Sequence, residues 1–188
     1  MTNDTLDAGK RRLLMIGVGL AAAAAGLTVA LRRKDKGAPP PPALSADAEA
    51  LGQVWSASFD RPGGGQLQLA PLRGKPLLIN FWATWCAPCV KELPELNEFQ
   101  REFAAKGWKV VGLAIDKPEA VQEFLRKVPV DFDLGLAGLT GTDLARKLGN
   151  PQGGLPFSVA FNAEGQPYWT KLGPTSLAEL RELANSKA

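Results

Sequence analysis

The two cysteines of the chain, Cys86 and Cys89, lie three positions apart with Ala87 and Pro88 between them. Two thiols at this spacing, at the start of a helix, can carry out thiol–disulfide exchange. A helix N-terminus stabilises a thiolate and can lower a cysteine pKa from about 8.5 to roughly 3.5–7.5. We therefore expect Cys86 to be the nucleophile and Cys89 to resolve the mixed disulfide. Pro88 suits the first helical turn, where its missing N–H is not needed.

Other interpretations of the cysteine pair are weaker. A structural disulfide across so short a loop would add only about 2 kcal/mol of stability on the chain-entropy formula. A zinc or copper site needs further ligands, and the chain has no histidine and no third cysteine. Such a site would mainly be one that is shared between two chains. The lack of histidine also excludes Ser-His-Asp and Cys-His catalytic designs.

The residues around the pair predict a buried strand that leads into the cysteines and a helix that starts there. Residues 77–82 are almost continuously apolar, as in a strand covered on both faces. A helix over 86–105, kinked or broken near Pro94, should follow and end at Gly107. Its expected core-facing residues are Leu93, Leu96, Phe99 and Phe103. Residues 109–115 predict a parallel neighbouring strand, which makes this part a βαβ unit.

Short strands at 54–59 and 66–69 flank the turn-rich segment 62–65 and predict an N-terminal β-hairpin. After the βαβ unit, Asp116 with Glu119 suggests the N-cap of a helix.

The C-terminal half predicts further alternating elements. A half-exposed strand is expected at 130–134, then a short helix ahead of Gly149. Strands at 157–161 and 168–172 form a second hairpin, and Ser176 with Glu179 forms the capping box of a last helix. The order β-β-β-α-β-α-β-α-β-β-α predicts an α/β fold with a central mixed sheet flanked by helices.

Charge is concentrated at the N-terminus. Residues 1–36 carry seven Lys or Arg and three Asp, a net charge of +4, which leaves −1 for the rest of a chain whose total is +3. The globular part therefore offers no basic face, and we expect no nucleic-acid partner. The 188 residues suffice for one domain with one core.

Residues 13–31 form an uncharged run of nineteen residues between two basic clusters. As a helix the run would be about 28 Å long, against a hydrocarbon core of roughly 30 Å. It predicts a transmembrane anchor, although small residues at 28–30 leave a cleavable signal peptide open. We expect residues 1–12 to be a short cytoplasmic head, 32–49 a basic, proline-rich linker, and 50–188 the folded domain.

A specific resemblance is carried by residues 80–89, Asn-Phe-Trp-Ala-Thr-Trp-Cys-Ala-Pro-Cys, followed by Glu92-Leu93-Pro94. This segment resembles the active site of membrane-anchored bacterial thioredoxin-like proteins, the TlpA and ResA group of protein disulfide reductases. The resemblance covers about residues 54–188 and implies a thioredoxin-like fold with the N-terminal hairpin as an addition. It implies a bacterial inner-membrane protein whose catalytic domain faces the periplasm or the extracytoplasmic side.

The same resemblance implies partners. They are disulfide-containing exported proteins, such as apocytochrome c in cytochrome c maturation, and a membrane thiol electron donor. No cofactor and no metal are implied, and the protein would act as a monomer. A thiol oxidase or isomerase, and a metal- or haem-handling binding module that uses the thiols as ligands, remain alternative functions.

Several residues take a role from the resemblance. Pro156 stands at the position of the superfamily's cis-proline, although from the residues alone it could simply open a strand. Glu92 is implied to exchange protons with Cys89, because Asn80 stands where thioredoxins place a buried aspartate. From spacing alone, Glu92 shares a helix face with Cys89, and a solvated glutamate is the alternative interpretation. The residues implied to contact substrate are Trp85, Ala87, Pro88, Leu155 and Pro156.

Overall fold

The structure, a computed structural model, describes residues 48–186. Its helices and strands are, in chain order, α1 Ala48–Ser56, β1 Ser58–Asp60, β2 Gln66–Gln68, β3 Leu77–Trp82, α2 Ala87–Phe103, β4 Lys109–Ala114, α3 Pro118–Lys127, β5 Asp133–Leu136, α4 Gly138–Lys147, β6 Phe157–Phe161, β7 Pro167–Leu172 and α5 Leu177–Ser186.

The seven strands form one mixed sheet in the order β2-β1-β5-β4-β3-β6-β7. Strands β3, β4 and β5 are parallel, and the outer strands pair antiparallel. The carboxyl ends of β3, β4 and β5 therefore meet at one edge of the sheet. Because β6 is antiparallel to β3 and pairs Phe157 with Phe81, the start of β6 lies at the same edge. The predicted α/β fold with a central mixed sheet is confirmed.

Alternation along β3 divides the core into two layers. Leu78 and Trp82 belong to a buried cluster that includes residues of α2, α3 and α5. Leu77, Ile79 and Phe81 belong to a second cluster, which includes residues of α1 and α4. Because both faces of β3 are covered, all six of its residues are buried. The strand that leads into the cysteines is thus held rigidly from both sides.

Helix α2 differs from its prediction in one respect. It runs without a break through Pro94, which lies on the exposed face. The four residues expected to face the core, Leu93, Leu96, Phe99 and Phe103, are all buried. Since these residues anchor the helix before and after Pro94, packing keeps one continuous segment despite the backbone hydrogen bond that proline removes.

Two strand predictions were misplaced. Residues 54–56 belong to α1 and not to the first strand, because Val54 is buried and Leu51 and Trp55 pack against the same cluster at helical spacing. The fifth strand begins at Asp133, three residues later than predicted. The pattern at 130–134 was real, since Phe132 and Leu134 are buried, but residues 130–132 pack outside the sheet ladder.

The predicted head, residues 1–12, and the anchor or signal peptide, 13–31, lie outside the described residues, as does the linker except for Ala48 and Glu49 in α1. Within residues 48–186, no helix is both long and apolar enough to cross a membrane.

Candidate active site

The cysteine pair lies where a turn at the end of β3 enters α2. The Cys86 N–H donates to the Ala83 carbonyl oxygen over 3.2 Å, which closes this turn. Cys86 is the N-cap of α2, with extended backbone angles, and Cys89 lies in the first helical turn. The two sulfurs form a disulfide, and the Cα atoms are 5.2 Å apart. The strand-to-helix junction predicted for the pair is confirmed.

The Cys86 sulfur is placed to be stabilised as a thiolate. It accepts a hydrogen bond from the Cys89 N–H at 3.3 Å, in the way that an N-cap oxygen would. When the disulfide is reduced, the same N–H and the positive end of the helix dipole favour negative charge on this sulfur. The helix terminus therefore provides the electrostatics that a nucleophilic cysteine requires.

Exposure distinguishes the two cysteines. Cys86 is 6% exposed, whereas Cys89 is completely buried. Around them, Trp85 is 68% exposed, and Ala87 and Pro88 are also on the surface. Cys86 is therefore the more accessible of the two to an incoming disulfide. This order of access matches an attacking thiol followed by an internal resolving thiol.

Pro156 lies beside the end of β3. It directly precedes Phe157, which pairs with Phe81, and its peptide bond with Leu155 is cis, as the resemblance implied. Pro156 is buried and its carbonyl oxygen accepts from the Gly173 N–H at 2.8 Å, while Leu155 is half-buried. The structure thus brings the start of β6 to the sheet edge that carries the cysteines.

Asn150 shapes the loop before the cis bond, and the sequence analysis missed it. Its side-chain amide donates to the Gly154 carbonyl at 2.8 Å and accepts from the Gly154 N–H at 3.1 Å. Asn150 is almost completely buried. An asparagine between glycine and proline looks like an ordinary turn residue, so the sequence carries no signal for this clamp.

Glu92 is a buried carboxylate, which rules out a solvated surface glutamate. It is 2% exposed and lies one turn after Cys89 on the buried face of α2. One oxygen accepts from the Asn80 amide at 2.7 Å. The other accepts from both the N–H and the hydroxyl of Thr175, at 2.7 and 3.0 Å. The carboxylate is therefore held by β3 on one side and by the loop before α5 on the other.

Burial raises the pKa of Glu92 above its ordinary value of 4.5. Desolvation is the largest effect. The hydrogen bonds from Thr175 and Asn80, and the charge of Lys171, act in the opposite direction and offset it only in part. A carboxyl group with a raised pKa keeps its proton to a higher pH than a solvated one, which suits a group that exchanges protons during catalysis.

The network around Glu92 extends to Ser158. The Asn80 amide nitrogen also donates to the Ser158 hydroxyl at 3.0 Å, while the Asn80 amide oxygen is buried without a partner. Ser158 and Thr175 were missed by the sequence analysis. The β3–β6 pairing sets Ser158 opposite Asn80, so only the tertiary pairing identifies it.

Asp116 also lies at this edge. One of its oxygens accepts from the Thr84 N–H at 2.9 Å and from the Thr84 hydroxyl at 2.6 Å. The other accepts from the Lys117 N–H at 2.7 Å. The N-cap residue of α3 is Lys117, so the predicted capping role of Asp116 was wrong. Partial burial opposes charge on Asp116, but these hydrogen bonds outweigh it and lower its pKa.

Comparison with known proteins assigns the chain to a protein family. The family model described as the AhpC/TSA family matches residues 53–166, which is more than half of the chain. The chain belongs to the AhpC/TSA family. The matched residues include both cysteines, Glu92 and the cis-proline.

Individual relatives of this AhpC/TSA chain are named thiol-disulfide oxidoreductases. Thiol-disulfide oxidoreductase ResA from Bacillus thuringiensis strain Al Hakam is 39% identical over 110 residues, which are 55% of this chain and 58% of the relative. The ResA of a Bacillus cereus strain is 40% identical over 77 residues, or 38% of this chain and 44% of the relative. The chain spans about half the length of these curated relatives. The predicted resemblance to ResA is confirmed.

A solved structure confirms the thioredoxin-like fold. The thiol:disulfide interchange protein of the thioredoxin family from Chlorobium tepidum TLS is 26% identical, with a TM-score of 0.61. The match covers 80% of this chain and 97% of that chain.

Proposed function

We propose that the protein is a thiol–disulfide oxidoreductase that works through Cys86 and Cys89. The observation that carries the proposal is the Cys86–Cys89 disulfide at the start of α2, with the Cys86 sulfur on a helix N–H and Cys86 the more accessible of the two. The similarity to proteins named thiol-disulfide oxidoreductase supports it.

In the reducing direction, both cysteines start as thiols. The Cys86 thiolate attacks one sulfur of a substrate disulfide, forms a mixed disulfide and releases the first substrate thiolate. Cys89 loses its proton and attacks the Cys86 sulfur, which releases the second substrate thiolate. The substrate gains two electrons, and the Cys86–Cys89 disulfide forms. A thiol electron donor then returns the pair to the reduced state.

Glu92 acts as the base for Cys89 in this proposal. Cys89 is completely buried, so bulk water does not reach its thiol directly. Glu92 lies one turn further along the same buried face, and its raised pKa makes it a stronger base than a solvated glutamate.

The substrate would lie across the surface around the pair. Trp85, Ala87 and Pro88 are exposed beside Cys86. Leu155 and Pro156 directly precede β6, whose start lies at the same edge of the sheet. Extended substrate backbone would contact this loop, in keeping with the role that thioredoxin-like proteins give to the cis-proline.

Substrates and location follow from the anchor prediction and the resemblance. Residues 13–31 would hold the protein in the bacterial inner membrane, and residues 32–49 would link the domain to it on the periplasmic or extracytoplasmic side. The substrates would be disulfides of exported proteins, including apocytochrome c. A membrane thiol donor would supply the electrons.

Insulin reduction with dithiothreitol as electron source tests the activity. The wild type should accelerate the reaction, and Cys86→Ala should abolish the acceleration. Equilibration of the pair with glutathione then tests the direction. A potential near about −270 mV would support a reductase, whereas one near about −120 mV would indicate a thiol oxidase and overturn the reducing direction. No acceleration by the wild type would overturn the proposed activity.

A further inference from the structure

The turn that presents Cys86 spans residues 83–86. A single backbone hydrogen bond, from the Cys86 N–H to the Ala83 carbonyl, closes it. Thr84 and Trp85 are its two central residues, and Trp85 is largely exposed. Because ordering each residue of a turn costs conformational entropy, a further restraint on this turn would favour a single conformation.

Asp116 supplies such a restraint from the neighbouring strand. The last backbone contact between the two segments runs from the Ile115 N–H to the Trp82 carbonyl, at 2.8 Å. One residue beyond it, the Asp116 carboxylate reaches Thr84 and binds its N–H and its hydroxyl. Hydrogen bonds to a carboxylate are about twice as strong as neutral ones.

Asp116 lies directly before α3, so its carboxylate could bind either the start of that helix or the turn at Thr84. An aspartate here could cap the first N–H groups of the helix, but α3 receives no side-chain cap. Asp116 instead binds Thr84 and the Lys117 N–H, so two of its three hydrogen bonds hold the turn.

We propose that Asp116 is a positioning residue that acts through Thr84 to hold the Cys86 sulfur over the N-terminus of α2. This inference rests on the proposed exchange activity. Without the carboxylate, the turn loosens, Cys86 leaves the Cys89 N–H for part of the time, and the thiolate loses stabilisation. Asp116 itself contacts neither substrate nor the sulfurs during exchange.

Four variants distinguish the positioning of Cys86 by Asp116 from an effect of the negative charge of Asp116. Asp116→Ala removes the acceptor, and Asp116→Asn keeps an amide oxygen that can accept both Thr84 bonds. Thr84→Val removes only the hydroxyl bond at nearly constant volume, and Thr84→Ser retains it. Asp143→Ala, at an exposed aspartate of α4, is the matched control for loss of a negative charge.

Two measurements are made on each reduced full-length protein. The first is kcat/KM for insulin reduction, and the second is the pH profile of Cys86 alkylation by iodoacetamide in the Cys89→Ala background. We expect Asp116→Ala to lower kcat/KM about 10- to 100-fold and Thr84→Val about 10-fold, since small misplacements of reacting groups cost up to about 10²-fold. In both, alkylation should move to higher pH. Asp116→Asn, Thr84→Ser and Asp143→Ala should stay near the wild type.

The outcomes distinguish this proposal from the one it rests on. Normal kinetics and alkylation in both Asp116→Ala and Thr84→Val would overturn the positioning role. So would equal impairment in Asp116→Ala and Asp116→Asn with a normal Thr84→Val, because charge alone would then explain the effect. If Asp116→Ala does not fold by circular dichroism, the Thr84→Val and Thr84→Ser pair decides the question. A wild type that reduces no insulin would instead overturn the proposed activity, while the alkylation profiles would still report on the turn.

Discussion

Glu92 brings a carboxyl group into the interior where α2 meets the loop before α5. The acid is expensive to bury ionised, and three hydrogen bonds from Asn80 and Thr175 reduce that cost without cancelling it. The net result is a pKa above the ordinary glutamate value. At the scale of single residues, this balance gives Glu92 its proposed part in the exchange.

Replacing Glu92 by glutamine tests the proton transfer. General-base catalysis is worth roughly 10²- to 10⁴-fold, so the step in which Cys89 resolves the mixed disulfide should slow by at least about 10²-fold. The rise in rate with pH that follows ionisation of Glu92 should also disappear. Stopped-flow kinetics of mixed-disulfide decay across pH measures both effects.

Glu95→Gln is the matched control for this variant. Glu95 is on the same helix and accepts the Leu177 N–H at 2.9 Å, but it is less buried than Glu92. Its variant should keep the wild-type pH profile. An unchanged profile in Glu92→Gln would return Glu92 to a purely structural role.

Burial of Glu92 also predicts how stability varies with pH. Because folding raises its pKa above 4.5, the folded protein binds more protons than the unfolded chain as pH rises from that value through the raised pKa. The Glu92 contribution to the free energy of unfolding is therefore fully present at low pH and is lost through this window. Glutamine lacks the dependence and can retain the Thr175 bonds, while the unpaired Asn80 oxygen can accept from its amide.

Urea denaturation of the oxidised wild type and Glu92→Gln, from about pH 4 to about pH 8, measures this difference. The wild type should lose stability relative to the variant as pH rises. Parallel curves, or a relative gain by the wild type, would contradict the proposed energetic cost of the buried carboxylate.

The sequence predicted part of this site but not the residues that bind Glu92. The spacing of Cys89 and Glu92 predicts a shared helix face, and both residues lie on the buried face of α2. The partners of Glu92 could not be predicted, since Thr175 lies 83 positions away along the chain. Local spacing carries no information about such a contact, and the same holds for the Asp116 bond to Thr84.

At the scale of elements, β4 packs closely against its neighbours at Gly112. Gly112 lies in the middle of β4, paired with Asn80 and Leu134. A Cβ at Gly112 would lie 2.6 Å from Leu134 Cδ2 and 2.9 Å from Phe132 Cε2. Glycine is therefore required here for packing.

Gly112→Ala should lower the free energy of unfolding by about 1–3 kcal/mol, the usual cost of overpacking a core. Gly52→Ala is the control, because no atom lies within 4 Å of the place that its methyl group would take in α1. It should be neutral or stabilising by up to about 1 kcal/mol. Urea denaturation measures both. Equal stability of Gly112→Ala and the wild type would show that Phe132 and Leu134 move aside freely.

Periodicity predicted the long elements well and the short ones less well. Helix α2 and strand β3 have clear apolar patterns and form where expected. The last residues of α1, 54–56, were mistaken for the start of the first strand, because the apolar residues there also suit an extended segment. The Ser176–Glu179 capping box is confirmed by hydrogen bonds in both directions, which shows that a motif of local geometry is readable without tertiary contacts.

At the scale of the whole molecule, the sheet order matters most. Placing β3 between β4 and β6 brings the cysteine turn, Asp116 and the cis-proline to one edge from three distant parts of the chain. Neither the order of the strands in the sheet nor this convergence follows from periodicity. The resemblance around residues 80–89 predicted the fold because it identifies a known arrangement.

The proposed anchor gives a prediction at this scale. Nineteen uncharged residues at 13–31 should hold the full chain in the membrane fraction after an alkaline carbonate wash. A variant without residues 2–36 should be soluble and reduce insulin at the wild-type rate. A full chain that is soluble at its uncleaved mass would contradict the anchor, and a soluble chain shortened near residue 30 would establish the signal peptide instead.

The most direct test of the central claim is to trap the intermediate. Reduced Cys89→Ala and Cys86→Ala proteins are each mixed with a disulfide-bonded peptide and analysed by intact mass spectrometry. Cys89→Ala should accumulate a mixed disulfide through Cys86, because no internal thiol remains to resolve it, and Cys86→Ala should accumulate none. Failure of Cys89→Ala to form the adduct, or equal trapping through Cys89, would contradict Cys86 as the nucleophile.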